Sequence, residues 1–196
     1  MNLYAHLDEL AVCVDALRDD IPRLEVWGTE IALALGRGGR LLAAGNGGSA
    51  AQAQHLTSEL VGRFTDERRP LSAIALHADT SALTALVNDY GADEMYARSV
   101  RAHGRSGDVL VILSTSGRSA NVVRAAEVAI ESDLLVLALT GPAPSPLADL
   151  AHASVCVDAL TPTVQEVHQI AIHLLCAAVD ARLALTGGRY PEEIRP

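Results

Sequence analysis

The sequence predicts an α/β fold: a three-layer sandwich with a central parallel sheet, preceded by two N-terminal helices. Three observations carry this. Short apolar runs, continuous rather than alternating, recur along the chain, each followed by a helical pattern, as strands covered on both faces require. A glycine-rich turn and a hydroxyl-rich turn close two of those strands, at the edge where such sheets hold ligands. Only six of 196 residues are aromatic while 49% are apolar, so the core must be Ala, Leu and Val packed helix on sheet.

Each element follows from local chemistry. Leu3, Leu7, Leu10, Ala11, Val14 and Leu17 recur at helical spacing and make an amphipathic first helix. Pro22 opens a second helix that runs to about Leu35 and is closed by Gly36 and Gly39. The apolar stripes of these two helices suit either a partner subunit or their own sheet. Arg40 to Ala44 reads as a buried strand, Ser49 to Val61 as a helix, and Leu71 to Leu76 as a strand. Helical segments follow near Thr80–Asn88 and Glu94–His103. Asp108 to Leu113 is the clearest strand, with Ser119–Ile130 the helix after it. Leu134 to Leu139 and Ser154 to Val157 are further strands, and a last helix spans Thr163 to Leu185, stopping near Gly187-Gly188. The expectation is one domain over 1–196, with helices in 1–38 and the α/β core in 39–186.

A net charge of -9 argues against a nucleic-acid partner, because phosphate backbones need clustered Lys and Arg. Arg63, Arg68 and Arg69, the one dense basic group, read as a solvated turn or a local anion contact. Cys13, Cys156 and Cys176 cannot all pair within the chain, and their apolar surroundings suggest buried free thiols in a reducing compartment. Charges in the first helix (Asp8, Glu9, Asp15, Arg18) break any signal-peptide pattern, and no apolar run reads as long enough to cross a bilayer. A cytoplasmic protein without a membrane partner is expected.

Three polar groups carry chemistry. Gly45-Asn46-Gly47-Gly48-Ser49-Ala50 formally fits the dinucleotide fingerprint, but the strand after it ends in His77 where a ribose-binding acid is wanted. A sugar-binding turn and a plain strand-to-helix turn, with Ser49 and Gln52 as a capping box, stay open beside it. Ser114-Thr115-Ser116-Gly117-Arg118-Ser119 places four hydroxyls before a helix N-terminus, a ready anion seat; without a Lys it is no P-loop. His55 and Glu59 share a helix face at i, i+4. On the last helix Gln165, Gln169 and His173 follow one another along nearly one face, after a capping box of Thr163 and Glu166. His55, Glu59, Gln165 and His173 could together bind a divalent ion, with Zn²⁺ favoured by the two imidazoles. Gln165 and His173 lie about 12 Å apart along an ideal helix, so sharing an ion needs extended side chains. His168 reads as structural. Asn88-Asp89, at a helix end, reads as a turn or as a contact to a sugar hydroxyl.

From about Leu41 to Leu183 these motifs, in this order and spacing, resemble the sugar isomerase (SIS) fold. Within it they resemble the phosphoheptose isomerases, which act on sedoheptulose 7-phosphate. The resemblance implies that Asn46, Gly47, Gly48 and Ser49 touch substrate, as would Glu59 and Gln165. It implies that Asn88 and Asp89 meet sugar hydroxyls and that Ser114, Thr115, Ser116 and Ser119 grip the phosphate. It implies one zinc per subunit on His55, Glu59, Gln165 and His173, with Glu59 and His173 as the acid–base pair. It also implies a homotetramer with sites at subunit boundaries. Two positions depart from the family pattern: Thr163 stands where Arg is common, and Arg118 where Asn is usual.

The expected reaction is an aldose–ketose isomerisation of a phosphorylated seven-carbon sugar through an enediol, giving D-glycero-D-manno-heptose 7-phosphate, with Glu59 as base and His173 as acid. The competing reading from another class is a non-catalytic protein of this fold that binds a replication initiator or senses a sugar phosphate. Such relatives tend to lack the full His/Glu/Gln/His set. A dinucleotide-dependent enzyme is the third.

Overall fold

The computed structural model describes residues 2–185. Five strands form one all-parallel sheet: β1 (Leu41–Gly45), β2 (Ala73–Ala75), β3 (Val109–Ser114), β4 (Leu135–Thr140) and β5 (Ala153–Cys156). Their order is β2-β1-β3-β4-β5. The chain therefore leaves β1 toward one side and returns to its other side at β3, making a switch point between the ends of those two strands.

Alternation along the strands divides the core into two layers. Leu41, Ala43, Val109, Val111 and Leu113 face the layer of α2 (Ile21–Gly36), α3 (Gly48–Val61) and α8 (Thr161–Leu185). Leu42, Ala44, Leu110 and Ile112 face α5 (Met95–His103), α6 (Ala120–Glu131) and the short α7 (Pro146–Leu150). Helix α4 (Thr80–Tyr90) sits on the rim and has no buried residue. The three-layer sandwich is thus as expected, built from small aliphatic side chains.

The two N-terminal helices differ in how far they pack on their own sheet layer. Helix α2 buries Leu24, Trp27, Ile31 and Leu35 against its own sheet layer. Helix α1 (Leu3–Ala16) has no buried residue; Leu10, Cys13 and Val14 pack partly on the core, while Tyr4 is 80% and Leu7 61% exposed.

Element boundaries shift for identifiable reasons. Asp108, expected in a strand, is buried and accepts from the backbone N–H groups of Arg40 and Arg105 at 2.8 and 3.0 Å, so it ties off the start of β3 instead of pairing in it. The strand expected from Leu71 to Leu76 pairs only over Ala73–Ala75 at the sheet edge. Short 3₁₀ turns at Leu17–Asp20 and Ala92–Glu94, and α7, escaped the sequence reading. The expected stop at Gly187-Gly188 lies outside the described residues.

Neither predicted capping box forms. Helix α3 starts at Gly48 with no side-chain cap; Ser49 is buried, and the Gln52 amide donates to the Gln165 carbonyl. At α8 the Thr163 hydroxyl donates to Glu9 at 2.8 Å, and Glu166 pairs with His6 at 3.0 Å. Long-range partners on α1 have taken groups that local pattern assigned to a cap. Two of the three cysteines also depart from expectation: Cys176 is buried, but Cys13 and Cys156 are half-buried, all three as free thiols. Burial pushes the Cys176 thiol up to about 12, which makes it unreactive.

By length and composition α8 could cross a membrane, contrary to the sequence reading. Its apolar residues are instead spent on α2, α3 and the sheet. One polar residue is buried with them. His168 is fully buried, its Nε2 3.1 Å from the Thr140 carbonyl at the end of β4, and desolvation lowers its pKa from 6.5 to about 4. It therefore folds neutral, donating that N–H. A group charged in the unfolded chain but neutral in the fold contributes stability that is full above about pH 6.5 and lost as pH falls toward about 4, by up to about 3 kcal/mol. The urea midpoint is accordingly expected to fall between about pH 7 and pH 5, and His168→Gln, which keeps a donor and removes the titration, to flatten that fall.

Candidate active site

The site is assembled at the ends of β1 and β3 and along the two helices that start from the same sheet edge, α3 and α8. Because both helices follow parallel strands, they run side by side in the same direction. Ala53, Leu56 and Leu60 of α3 and Val164, Ala171 and Leu175 of α8 share one core, which sets the pairing of levels between them. Near the edge, a Cβ placed on Gly48 would lie 2.6 Å from the Gln165 side-chain nitrogen, so that amide rests on the first turn of α3. Two turns further along, His55 Nε2 lies 3.0 Å from His173 Nε2 and 3.3 Å from a Glu59 oxygen.

His55, Glu59 and His173 thus form a compact cluster whose ligand atoms lie within 4.8 Å of one another. Phe64 packs on the His173 ring at 5.6 Å, giving the cluster an apolar wall. A tetrahedral ion with bonds of about 2.1 Å separates its ligand atoms by about 3.4 Å. The observed 3.0 and 3.3 Å, from two imidazoles and a carboxylate, suit zinc in both spacing and donor type. Two bare imidazole nitrogens facing each other at such range also need a proton or a cation between them. Besides His55, the side chain against His173 Nε2 is Gln169, one turn earlier, at 3.2 Å; Gln165 lies a turn further toward the edge, against Gly48.

The glycine turn owes its shape to Gly47, whose φ of 56° and ψ of -121° only glycine adopts without strain. The turn is anchored from below by buried Tyr96, whose hydroxyl donates to the Gly45 carbonyl. Burial raises that phenol to about 12, so it stays a donor across the physiological range. Asn46, next along, is held by a residue the sequence reading did not single out. Each of the amides of Asn46 and Asn121 donates to the other at 2.9 Å. The available signal was position: Asn121 falls in the first turn of the helix after the hydroxyl loop.

In register, Gly45 of β1 lies beside Leu113 of β3, so the hydroxyl loop begins next to the glycine turn. Within it Ser114 is buried and accepts from the Gly117 N–H at 3.1 Å, while Ser116 accepts from the Arg118 N–H at 3.2 Å. Among the described residues the Thr115 and Ser119 hydroxyls have no protein partner. With the first N–H groups of α6 they make a seat suited to an anion. The Arg118 guanidinium donates to the Pro144 carbonyl at 3.0 Å, strapping the loop to the segment after β4. Asn88 and Asp89 are both exposed at the end of α4, and the Asn88 amide donates to the Asp89 carboxylate at 2.8 Å. Of the residues singled out from sequence, then, His55, Glu59 and His173 come together and Gln165 adjoins the glycine turn. The serines and threonine form a separate seat one strand away.

Comparison with known proteins finds relatives of the chain and of its fold. Residues 8–141 match the SIS domain family. Over 179 residues the chain is 60% identical to a phosphoheptose isomerase of Streptomyces coelicolor, spanning 91% of this chain and 78% of that one. Phosphoheptose isomerase structures from Francisella tularensis and Neisseria gonorrhoeae superpose with TM-scores of 0.86 and 0.82, at 32% and 40% identity. Each covers 91% of this chain, matching 96% and 97% of their own.

Gly117, at φ 60°, also leaves no room: a Cβ there would lie 2.2 Å from the Ser145 hydroxyl. Gly117→Ala is expected to cost about 1–3 kcal/mol in urea unfolding and to weaken inorganic phosphate binding measured by calorimetry, since relief must come from moving the loop.

Proposed function

The chain belongs to the SIS-domain proteins and, within them, to the phosphoheptose isomerases, and from that membership we propose that Glu59 and His173 interconvert sedoheptulose 7-phosphate and D-glycero-D-manno-heptose 7-phosphate. The observation that carries this is the convergence of one carboxylate and two imidazoles, two turns along the helix that starts at a glycine turn beside the hydroxyl loop.

The chemistry asks little more of the chain. Thr115, Ser116, Ser119 and the α6 N-terminus hold the phosphate, with Ser114 shaping the loop. The glycine turn, from Asn46 to Ser49, and Gln165 line the sugar, and Asn88 and Asp89 meet its hydroxyls. Glu59 removes a proton from C1 while His173 gives one to the carbonyl oxygen at C2, leaving the enediol. Return of a proton to C2 and loss of one from the C1 hydroxyl completes the aldose. The Asn46 amide donates to oxygen as negative charge develops there.

In the resting site zinc, one per subunit, would be held by His55, Glu59 and His173, with Gln165 as fourth donor only if its side chain extends from the sheet edge toward the cluster. When bound it would polarise substrate oxygen as a Lewis acid. The open apolar face of α1, Leu3, Tyr4, Leu7 and Val12, would be covered by further copies in a homotetramer. We place the protein in the cytoplasm, where its three thiols stay reduced.

Glu59→Gln and His173→Gln are each expected to lower turnover of sedoheptulose 7-phosphate, followed by NMR, by about 10²–10⁴-fold with unfolding midpoints kept. Near-normal turnover in either would remove that residue from the reaction. In a chelator competition the wild-type protein should bind zinc at one site per chain, and His55→Ala should lose about 10-fold or more in affinity. Equal affinity in the two would place the ion elsewhere.

A further inference from the structure

The amide pair of Asn46 and Asn121 does more than close a loop. Its two N–H···O bonds, both 2.9 Å, run in opposite directions and fix both amide planes. Each amide then keeps one N–H uncommitted to the pair. The two members differ sharply in setting: Asn46 is exposed at the end of β1, whereas Asn121 is 9% exposed beneath it.

Such a pair could be reversed by turning both amides over, with the same two bonds and the opposite groups facing out. One contact breaks that symmetry. The second N–H of Asn121 points at the thioether of buried Met95, 3.8 Å away, an acceptor and not a donor. With the pair reversed, the Asn121 oxygen would face sulfur instead, two acceptors opposed. Orientation therefore passes from Met95 to Asn121 to Asn46, and the second N–H of Asn46 is held on a fixed side of the pair, free for a ligand.

We propose that Asn121 is a positioning residue that fixes Asn46 as a hydrogen-bond donor toward the substrate oxygen that becomes negative in the enediol. This rests on the isomerase reading above. Asn121 stands in the first turn of α6, two residues after the phosphate-loop serine Ser119. The same short segment thus seats the anion and aims the donor, and the two cannot drift apart when the phosphate docks. A donor already aimed needs no reorganisation as charge develops, which is where such groups accelerate a reaction.

The test is a double-mutant cycle on sedoheptulose 7-phosphate turnover. Asn46→Ala should lower kcat about 10²–10³-fold. Asn121→Asp keeps size but only accepts, which removes the donor that holds the Asn46 oxygen and with it the fixed orientation of that amide; it should lower kcat about 10-fold or more with KM within about 2-fold. Once Asn46 is Ala, adding Asn121→Asp should change nothing. Losses that multiply in the double variant, or a loss in KM alone, would overturn the proposal. A second measurement needs neither a folded variant nor activity. In wild-type protein carrying ¹⁵N-asparagine, one side-chain N–H of Asn46 should be protected from exchange and the other should exchange freely. Two freely exchanging protons would overturn the pair itself. A wild-type protein without turnover that shows the protected proton would instead count against the isomerase reading and leave the geometry intact.

Discussion

The rest of the site depends on one packing constraint, the side-by-side docking of α3 on α8. Leu56, Leu60, Val164, Ala171 and Leu175 can be buried together only if the two helices lie in one groove of the sheet. Burying the three leucines and Val164 is worth about 1.5–3 kcal/mol each, together far more than any single polar contact in the cluster returns. The apolar seam thus decides where His55, Glu59 and His173 stand, and the polar atoms accept the positions given. That order matters chemically: three groups that repel or compete for a proton are held at 3.0–3.3 Å by packing elsewhere. A cation or a reacting proton relieves the crowding.

The second half of the site is built differently, from loops at the switch point between β1 and β3. Loops need bracing, and here the braces come from the opposite layer. Tyr96 of α5 holds the Gly45 carbonyl, Asn121 of α6 holds Asn46, and the segment after β4 supports the hydroxyl loop through Arg118 and Ser145. Helix layer and loop layer meet at Gln165, whose amide touches Gly48 and whose carbonyl accepts from Gln52. A substrate lying from the anion seat to the cluster would pass that contact.

Arg118, one of the two departures from the family pattern, has a visible structural use. In the conformation seen it donates to Pro144 rather than standing free as an added phosphate ligand. Thr163, the other, is fully buried and bonded to Glu9, where an arginine would have to reach the same acid from a longer stem. Both residues tie neighbouring segments together, and among the described residues neither hydrogen-bonds to His55, Glu59 or His173.

Layer architecture, strand order of appearance, the i, i+4 pair and the anion loop were all legible in the chain, because each is written in a short window: apolar runs, helical spacing, hydroxyls before a helix. The capping boxes at Ser49 and Thr163 looked equally local and did not form, since a backbone carbonyl of α8 and a carboxylate of α1, both distant in sequence, took up Gln52 and Thr163. Asn121 and Met95 carried no local signature at all; their roles exist only because α5 and α6 pass beneath β1. Sequence by itself determined which elements form and which residue types stand at the functional edge of the sheet. Tertiary structure alone decided which of them touch, because packing two helices on one sheet sets distances that no spacing along a single chain can encode.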